Sequence, residues 1–209
     1  MTFRKLILAL CASLVGFSVA AAQERLPMIP ADKLSDAQKK TVADMQAGAF
    51  GVDGPFVALL REPKLAEQAY AMATYFRTES VLGTKLTELV ILLAARDWTQ
   101  QFEWTAHYSR ALTAGLKKET INAIAEGRRP AGMPEDEEIV YDFWNELDHN
   151  KSVSDATYDR AVKKFGEQGV VSVTALNGYY AMLAMLLNVA RTPVLPANAQ
   201  VPRLPALPK

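Results

Sequence analysis

Residues 87–107 read TELVILLAARDWTQQFEWTAH, and this stretch decides the fold. Its first half is apolar almost all round, which is typical of a helix buried in a helical bundle or at a subunit interface. In its second half Glu103 and His107 are four residues apart, so they share one face of a second helix. A turn near residues 100–102 would fold the two helices into an antiparallel hairpin. The stretch therefore predicts a helical hairpin in an all-α protein.

The rest of the chain carries helix signals and shows no sustained strand-like alternation. Ser35-x-x-Gln38 resembles a capping box, and Thr84 and Ser154 are suited to cap two further helices. Residues 179–187 form a second stretch that is apolar almost all round. The predicted helices span about residues 35–45, 63–78, 85–99, 103–113, 117–126, 155–165 and 171–190, and another begins at Pro134.

The first 22 residues predict an export signal that is removed. Arg4 and Lys5 give a positive start, an uncharged apolar stretch follows, and Ala20–Ala22 supply the small residues of a cleavage site before Gln23. The apolar stretch is short for a membrane span, and the alternative is an anchor helix that is not cleaved. We therefore expect a periplasmic or secreted protein with no stable membrane span after cleavage.

Cleavage would change the composition of the chain. It would leave 187 of the 209 residues, enough for one domain with a sizeable core. The only cysteine, Cys11, would leave as well, so the mature protein would have no disulfide and no thiol nucleophile. The mature charge would be −2, with 21 basic and 23 acidic side chains, and no basic patch stands out. Nucleic acid is therefore not an expected partner.

The predicted organisation has four segments. Residues 1–22 are the signal peptide, 23–54 are an N-terminal arm with the first helix, and 55–192 form the helical domain. Residues 193–209 contain five prolines. This tail is predicted to be an extended or disordered segment, or a strap that wraps a neighbouring subunit.

Glu88, Glu103 and His107 form the candidate site. Glu88 lies in the most hydrophobic stretch of the mature chain, where an unpaired carboxylate is costly. The hairpin would place it opposite Glu103 and His107, and the carboxyl groups and imidazole would then differ in proton affinity and supply an acid and a base. The alternatives are a surface Glu–His pair, a structural hydrogen bond from Glu88, and a metal site. A metal site with two histidines would also need His149.

Residues 87–107, followed by Ala111, Gly115 and Leu116, resemble the carboxymuconolactone decarboxylase family, which shares its fold with alkylhydroperoxidase D. Residues 165–188 look like the C-terminal half of the longer family members, and the resemblance covers about residues 55–195. It implies an alkylhydroperoxidase D-like helical bundle that assembles as a homotrimer or as a hexamer built from trimers. It also implies chemistry without a metal or organic cofactor.

The resemblance also implies roles for single residues. The peroxidase branch uses C-x-x-C-x-x-x-H, and the matching positions here are Gln100, Glu103 and His107. Both thiols are absent, so thiol peroxidase activity is disfavoured. Glu88 matches the proton-relay glutamate of that branch. In the decarboxylase branch, His107 would donate a proton to carbon, Glu103 would orient it, and Glu88 would be a second relay or position the substrate.

The expected substrate is a small anionic or lactone-type molecule. Arg96 is the preferred partner for its carboxylate, and Arg77 and Arg110 are weaker candidates. Decarboxylation, lactone hydrolysis and isomerisation all suit these groups, and the alternative is a ligand-binding or scaffold protein without turnover. Export is at odds with the family's best-known substrate, because aromatic catabolism normally runs in the cytoplasm. The other predicted pocket residues are Trp104, Tyr108, Tyr180 and Asn188.

Overall fold

The structure, a computed structural model, describes residues 23–48 and 50–206. The predicted signal peptide and Cys11 lie outside these residues. Within them the regular secondary structure is helical and contains no strand, which confirms the all-α prediction. The helices are α1 (Asp36–Gln46), α2 (Pro55–Leu59), α3 (Pro63–Thr78), α4 (Gly83–Asp97), α5 (Gln101–Thr113), α6 (Lys118–Ala125), α7 (Glu135–Asn150) and α8 (Asp155–Ala190).

Helix α4 forms the centre of the fold. It packs against α3, α5, α6, α7 and α8, and residues 89–95 are almost completely shielded from solvent. This burial occurs within a single chain, so the all-round apolar pattern of α4 is explained by the core without a subunit interface. Because α4 and α5 are joined only by residues 98–100, the hairpin places the face of α5 that carries His107 directly against α4.

Two of the three predicted caps are present. The Ser35 hydroxyl accepts from the Gln38 amide, and the Gln38 side chain accepts from the Ser35 amide, which completes the capping box of α1. Ser154 caps α8 by accepting from the backbone of Thr157. The prediction for Thr84 was wrong, because α4 already begins at Gly83 and Thr84 lies inside its first turn.

Element α8 consists of two helical parts. Gly166, with φ 70° and ψ 173°, is not helical, so the run Asp155–Ala190 breaks there, directly after the predicted end of the first helix at residue 165. Glycine adopts this backbone conformation readily, whereas other residues rarely do. By length and composition alone α8 could cross a membrane, and half of its most apolar window is buried inside the fold.

The Pro-rich tail is held against its own chain. The Trp104 indole donates to the carbonyl of Pro202 (3.0 Å), and the Gln101 side chain makes two hydrogen bonds with the backbone of Leu204 (3.0 and 3.1 Å). Arg96 donates to the carbonyl of Pro205 (2.7 Å), and the Leu204 side chain is buried in the core. The described part of the tail is therefore not a disordered extension.

Candidate acid–base site

Glu88 and His107 form a buried pair between α4 and α5. Glu88 Oε2 lies 2.7 Å from His107 Nδ1, and both residues are almost completely buried. The pair joins the first half of α4 to the middle of α5, which is the meeting that the hairpin predicts. A contact of this length is typical of a charge-assisted hydrogen bond.

Glu103 and Arg77 lie on the other side of the imidazole. Glu103 Oε1 is 3.4 Å from His107 Nε2, and Arg77 Nη2 on α3 is 3.3 Å from the same nitrogen. Glu88, rather than Glu103, therefore makes the close contact that orients the ring. The three ionisable groups Glu88, Glu103 and Arg77 surround His107 within the core.

Arg77 and Glu88, the partners of the two ring nitrogens, indicate which nitrogen carries the proton of a neutral His107. A guanidinium can only donate hydrogen bonds, so an Nε2 that faces Arg77 acts as an acceptor. The proton of a neutral imidazole then resides on Nδ1 and is donated to Glu88 Oε2. In this tautomer the Nε2 lone pair accepts from Arg77, and it can act as a general base once that contact is released.

Glu103 is the group best suited to remain protonated. Burial raises the pKa of its carboxyl group, and the nearby His107 and Arg77 offset part of this effect. Its Oε2 atom is buried and has no hydrogen-bond partner among the described residues. A neutral carboxyl group beside an unprotonated imidazole nitrogen supplies a general acid next to a general base.

A cavity of about 320 Å³ lies against this cluster. Glu103 and His107 form part of its wall, and Tyr180 places its ring edge-on to the imidazole with centroids 5.5 Å apart. Burial raises the pKa of the Tyr180 hydroxyl, and the nearby Arg77 guanidinium offsets part of this effect. Glu88 lines a second cavity instead. Arg77 and Arg110 line both cavities. The imidazole and its two carboxyl partners thus separate two neighbouring cavities.

Of the five preferred substrate-binding residues, Arg96, Trp104, Tyr108, Tyr180 and Asn188, only Tyr180 lines the cavity. Arg96 is two turns beyond Glu88 on α4, and its guanidinium binds the carbonyls of Ala125 and Pro205 and the hydroxyl of Thr99. The structure does not place Arg96 where it could hold a substrate carboxylate at this site. The remaining three residues, Trp104, Tyr108 and Asn188, also lie outside the cavity wall.

These three residues have structural contacts. Trp104 packs against Tyr108 and binds the tail through its indole nitrogen. Asn188 accepts from the Gln100 side chain and donates to the carbonyl of Trp98. These contacts within the protein account for the three side chains without a bound ligand.

The arginines that were weaker candidates occupy the site. Both Arg77 and Arg110 line the cavity. Arg77 also lies 4.2 Å above the ring of Phe50, and its Nε atom has no partner among the described residues. The cavity also has walls that the sequence did not suggest, formed by Phe50, Asp53, Phe102, Leu195 and Asn198.

Gln100, at a position that matches a peroxidase cysteine, acts as a helix cap. Its side-chain oxygen accepts from the backbone amides of Phe102 and Glu103 at the start of α5. Its amide nitrogen donates to Asn188. An amide therefore replaces the first thiol and a buried carboxyl replaces the second.

The geometry does not suit the metal site considered above. Glu88 and Glu103 contact opposite nitrogens of His107, so their oxygens do not converge on one point. His149 lies in the last turn of α7 and lines a different cavity with Arg96. Across residues 23–48 and 50–206 no group of three His, Cys, Asp or Glu side chains is arranged to hold a metal ion.

Comparison with known proteins supports the fold. No family model matches the chain, and no curated protein matches it. Among solved structures, it is similar to a protein of unknown function from Agrobacterium tumefaciens, provisionally described as an antioxidant defence protein AhpD. The TM-score is 0.58 at 16% identity, over 66% of this chain and 94% of that chain. The chain therefore has an AhpD-like helical fold, and the decarboxylase branch remains a prediction.

Proposed function

We propose that this protein is a cofactor-independent acid–base enzyme that acts on a small anionic or lactone-type substrate. The observation that carries the proposal is the buried row Glu88–His107–Glu103, which has an oriented imidazole and a carboxyl group of raised pKa at the wall of a cavity. Such differences in proton affinity between neighbouring groups are a feature of acid–base catalytic sites. Decarboxylation of a carboxylated lactone is the reaction that the family resemblance favours.

In this reaction the bond between the ring carbon and the substrate carboxylate breaks. Carbon dioxide leaves, and the electron pair moves into the conjugated lactone as a dienolate. Protonated Glu103 donates its proton to the ring carbon and becomes a carboxylate, which the neighbouring Arg77 stabilises. Water returns the proton to Glu103 and completes the cycle.

His107 and Glu88 have supporting roles in this scheme. Glu88 fixes the ring by accepting from Nδ1, and Nε2 is left as a base beside Glu103. The sequence-based expectation gave the orienting role to Glu103 and the proton donation to His107. We propose the opposite assignment of the two carboxyl groups, because the shorter contact belongs to Glu88 and the raised pKa to Glu103. With water as the nucleophile, the same base would support lactone hydrolysis.

Arg77 and Arg110 provide the positive charge that an anionic substrate needs. Both lie in the cavity wall, and neither makes a salt bridge with the acidic side chains of the described residues. With Glu103 protonated, Asp53 is the remaining acidic group in the wall. The cavity thus carries a positive excess, which favours a carboxylate ligand.

A panel of carboxylated lactones and β-keto acids tests the proposal. Purified protein should release carbon dioxide or open the lactone ring of at least one compound, and the His107→Asn variant should not. If no compound reacts but several bind with equal affinity to both proteins, the alternative of a non-catalytic ligand-binding protein is correct. Equal turnover by wild type and the variant would refute the proposed site.

The cofactor-free character of the mechanism has its own test. Elemental analysis of purified, active protein should find no zinc, iron or manganese near one atom per chain. Stoichiometric metal, with activity lost on chelation and restored on reloading, would overturn this part of the proposal.

We also propose that the protein is exported and oligomeric. Export is supported by the charge and apolar pattern of residues 1–22, and N-terminal sequencing from a periplasmic or secreted fraction should give Gln23 as the first residue. Assembly is supported by exposed apolar side chains that share one hollow, Met72 and Tyr75 on α3 and Val171 on α8. Light scattering should give a trimer or hexamer, and a monomer mass would contradict the assembly.

A further inference from the structure

The C-terminal tail reaches the cavity. Leu195 and Asn198 line the same cavity as His107 and Glu103, although they follow the last helix of the domain. Both residues are partly buried, and a short 3-10 turn at Pro196–Asn198 presents them. The tail therefore supplies one side of the pocket in which the proposed chemistry occurs.

The tail is fixed beyond these two residues by hydrogen bonds to buried groups. The Trp104 indole, the Gln101 amide and the Arg96 guanidinium bind three successive parts of its backbone, at Pro202, Leu204 and Pro205. Trp104 and Arg96 are both buried, with 1% and 4% of their surface exposed. Donors in such positions need acceptors when buried, so the chain gains stability when the tail is docked.

Asn198 adds a chemistry that the rest of the pocket lacks. The other polar side chains of the wall are ionisable or carry a hydroxyl group, whereas an amide offers a neutral donor and a neutral acceptor together. The Asn198 side chain makes no hydrogen bond with another described residue, because only its backbone atoms take part in the local turn. Its amide is thus available to a ligand.

We propose that the tail is part of the substrate site, and that Leu195 and Asn198 determine specificity by selecting anions that carry a neutral hydrogen-bonding group. The arginines bind the acidic end of the ligand, and the Asn198 amide binds its carbonyl or hydroxyl group. This inference rests on the proposed function for its substrate class, but the position of the tail can be tested without any substrate.

The substrate-free test measures the reaction of His107 with diethyl pyrocarbonate. The chain has two histidines, the buried His107 and the exposed His149, so His149 is an internal control. Peptide mass spectrometry should show slow modification of His107 and fast modification of His149 in the intact protein. Deletion of residues 193–209 should speed modification at His107 by about tenfold or more, as expected when a locally stable cover is lost.

Point variants protect this test against misfolding of the truncated chain. Gln101→Leu and Trp104→Phe each remove a tail anchor and should raise the rate at His107 without changing that at His149. Gln200→Ala, an exposed tail position, should leave both rates unchanged. An unchanged His107 rate in the deletion and in both anchor variants would show that the tail does not cover the site.

Substrate selectivity tests the role of Asn198. For two active panel compounds that differ by one hydroxyl group, Asn198→Ala should reduce the ratio of their kcat/KM values by about tenfold or more. Gln200→Ala should leave the ratio unchanged. An unchanged ratio in Asn198→Ala overturns the specificity role, while turnover by wild type still supports the proposed function. A His107 rate that depends on the tail supports the docked position even if no compound reacts.

Discussion

Glu88 and His107 are nineteen residues apart in the sequence, and their side chains meet at 2.7 Å in the interior between α4 and α5. A buried imidazole with a fixed partner on one nitrogen has only one tautomer available for chemistry on the other. The position of Glu88 therefore controls the state of His107. Glu103 and Arg77 then compete for the opposite nitrogen.

Replacement of Glu88 by Gln tests this control. An amide keeps the size of the side chain but removes the charge that stabilises the Nδ1 proton, so kcat should fall by about 10²-fold. Thr87→Val is the matched control, because the adjacent Thr87 is equally buried and its hydroxyl has no partner among the described residues. Similar activity in Glu88→Gln and wild type would show that the pair is only structural.

Glu103→Gln should change the pH dependence of stability. The pKa of Glu103 is raised by burial, so the folded protein binds this proton more tightly than the unfolded chain does. The free energy of unfolding must then fall as pH rises from the ordinary carboxyl range to the raised pKa, by about 1.4 kcal/mol for each unit between the two values.

The variant cannot ionise at this position and should lack that decrease. Urea unfolding at several pH values, compared as the difference between wild type and variant, isolates this effect from the carboxylates whose pKa is lowered by surface ion pairs, such as Asp142. The variant should gain on wild type toward neutral pH. A difference that does not depend on pH would mean that Glu103 titrates normally.

Replacement by Gln should have different effects at Arg77 and at Arg96. The first change should affect substrate binding and the second the stability of the fold. Arg77→Gln removes a cation from the cavity wall and should raise KM about tenfold or more for an anionic substrate, with a small effect on stability. Arg96→Gln removes the donor to two backbone carbonyls and should lower stability by about 1–3 kcal/mol with KM less affected. Steady-state kinetics with thermal unfolding separates the two outcomes. If Arg96→Gln has the larger effect on KM, the assignment of Arg77 is incorrect.

Hydroperoxide consumption should not depend on thiols. Neither Gln100 nor Glu103 can form the thiolate that attacks a peroxide in the C-x-x-C mechanism, and the chain has one cysteine, at position 11. Purified protein with a dithiol reductant should consume no more hydroperoxide than the reductant alone, before and after iodoacetamide treatment. Consumption that iodoacetamide abolishes would contradict the account.

Gly54→Ala should destabilise the wall of the cavity. Gly54 has φ +53°, and a Cβ atom there would lie 2.5 Å from the ring of Phe102. Strain of this kind costs about 1–3 kcal/mol. Gly51→Ala is the control, since Gly51 also has a positive φ but open space around it. Urea unfolding should show a larger loss for Gly54→Ala, and equal losses would place the cost in the backbone alone.

The sequence predicts the hairpin and its central pair because both depend on local spacing. An apolar helix that contains Glu88 is followed by a polar turn, and the next helix carries Glu103 and His107 on one face. A buried Glu88 needs a polar partner, and this pattern offers few others. Arg96 could have been excluded by the same reasoning. It lies eight residues from Glu88, about 12 Å along one helix, and so belongs to a different end of α4.

The preference for Arg77 over Arg96 and the position of the tail could not be predicted in this way. Arg77 reaches His107 from α3, thirty residues earlier, through a packing angle that no local pattern encodes. Trp104, Gln101 and Arg96 hold the tail, and with it Asn198, by hydrogen bonds to backbone groups of Pro202, Leu204 and Pro205. Backbone groups do not distinguish one sequence from another, so the sequence does not indicate these contacts. Contacts of this kind depend on how segments distant in sequence pack together, so their identification requires the structure.

Proton donation by Glu103 depends on His107, which Glu88 holds beside it in the buried row. A comparison of wild type with His107→Asn on one reactive panel compound tests this dependence, with kcat from turnover and Kd from calorimetry. We predict that kcat falls by at least about 10²-fold, the usual contribution of a positioned acid or base, while Kd stays within a few-fold of its wild-type value. An unchanged kcat in a variant that folds and binds normally would contradict this dependence.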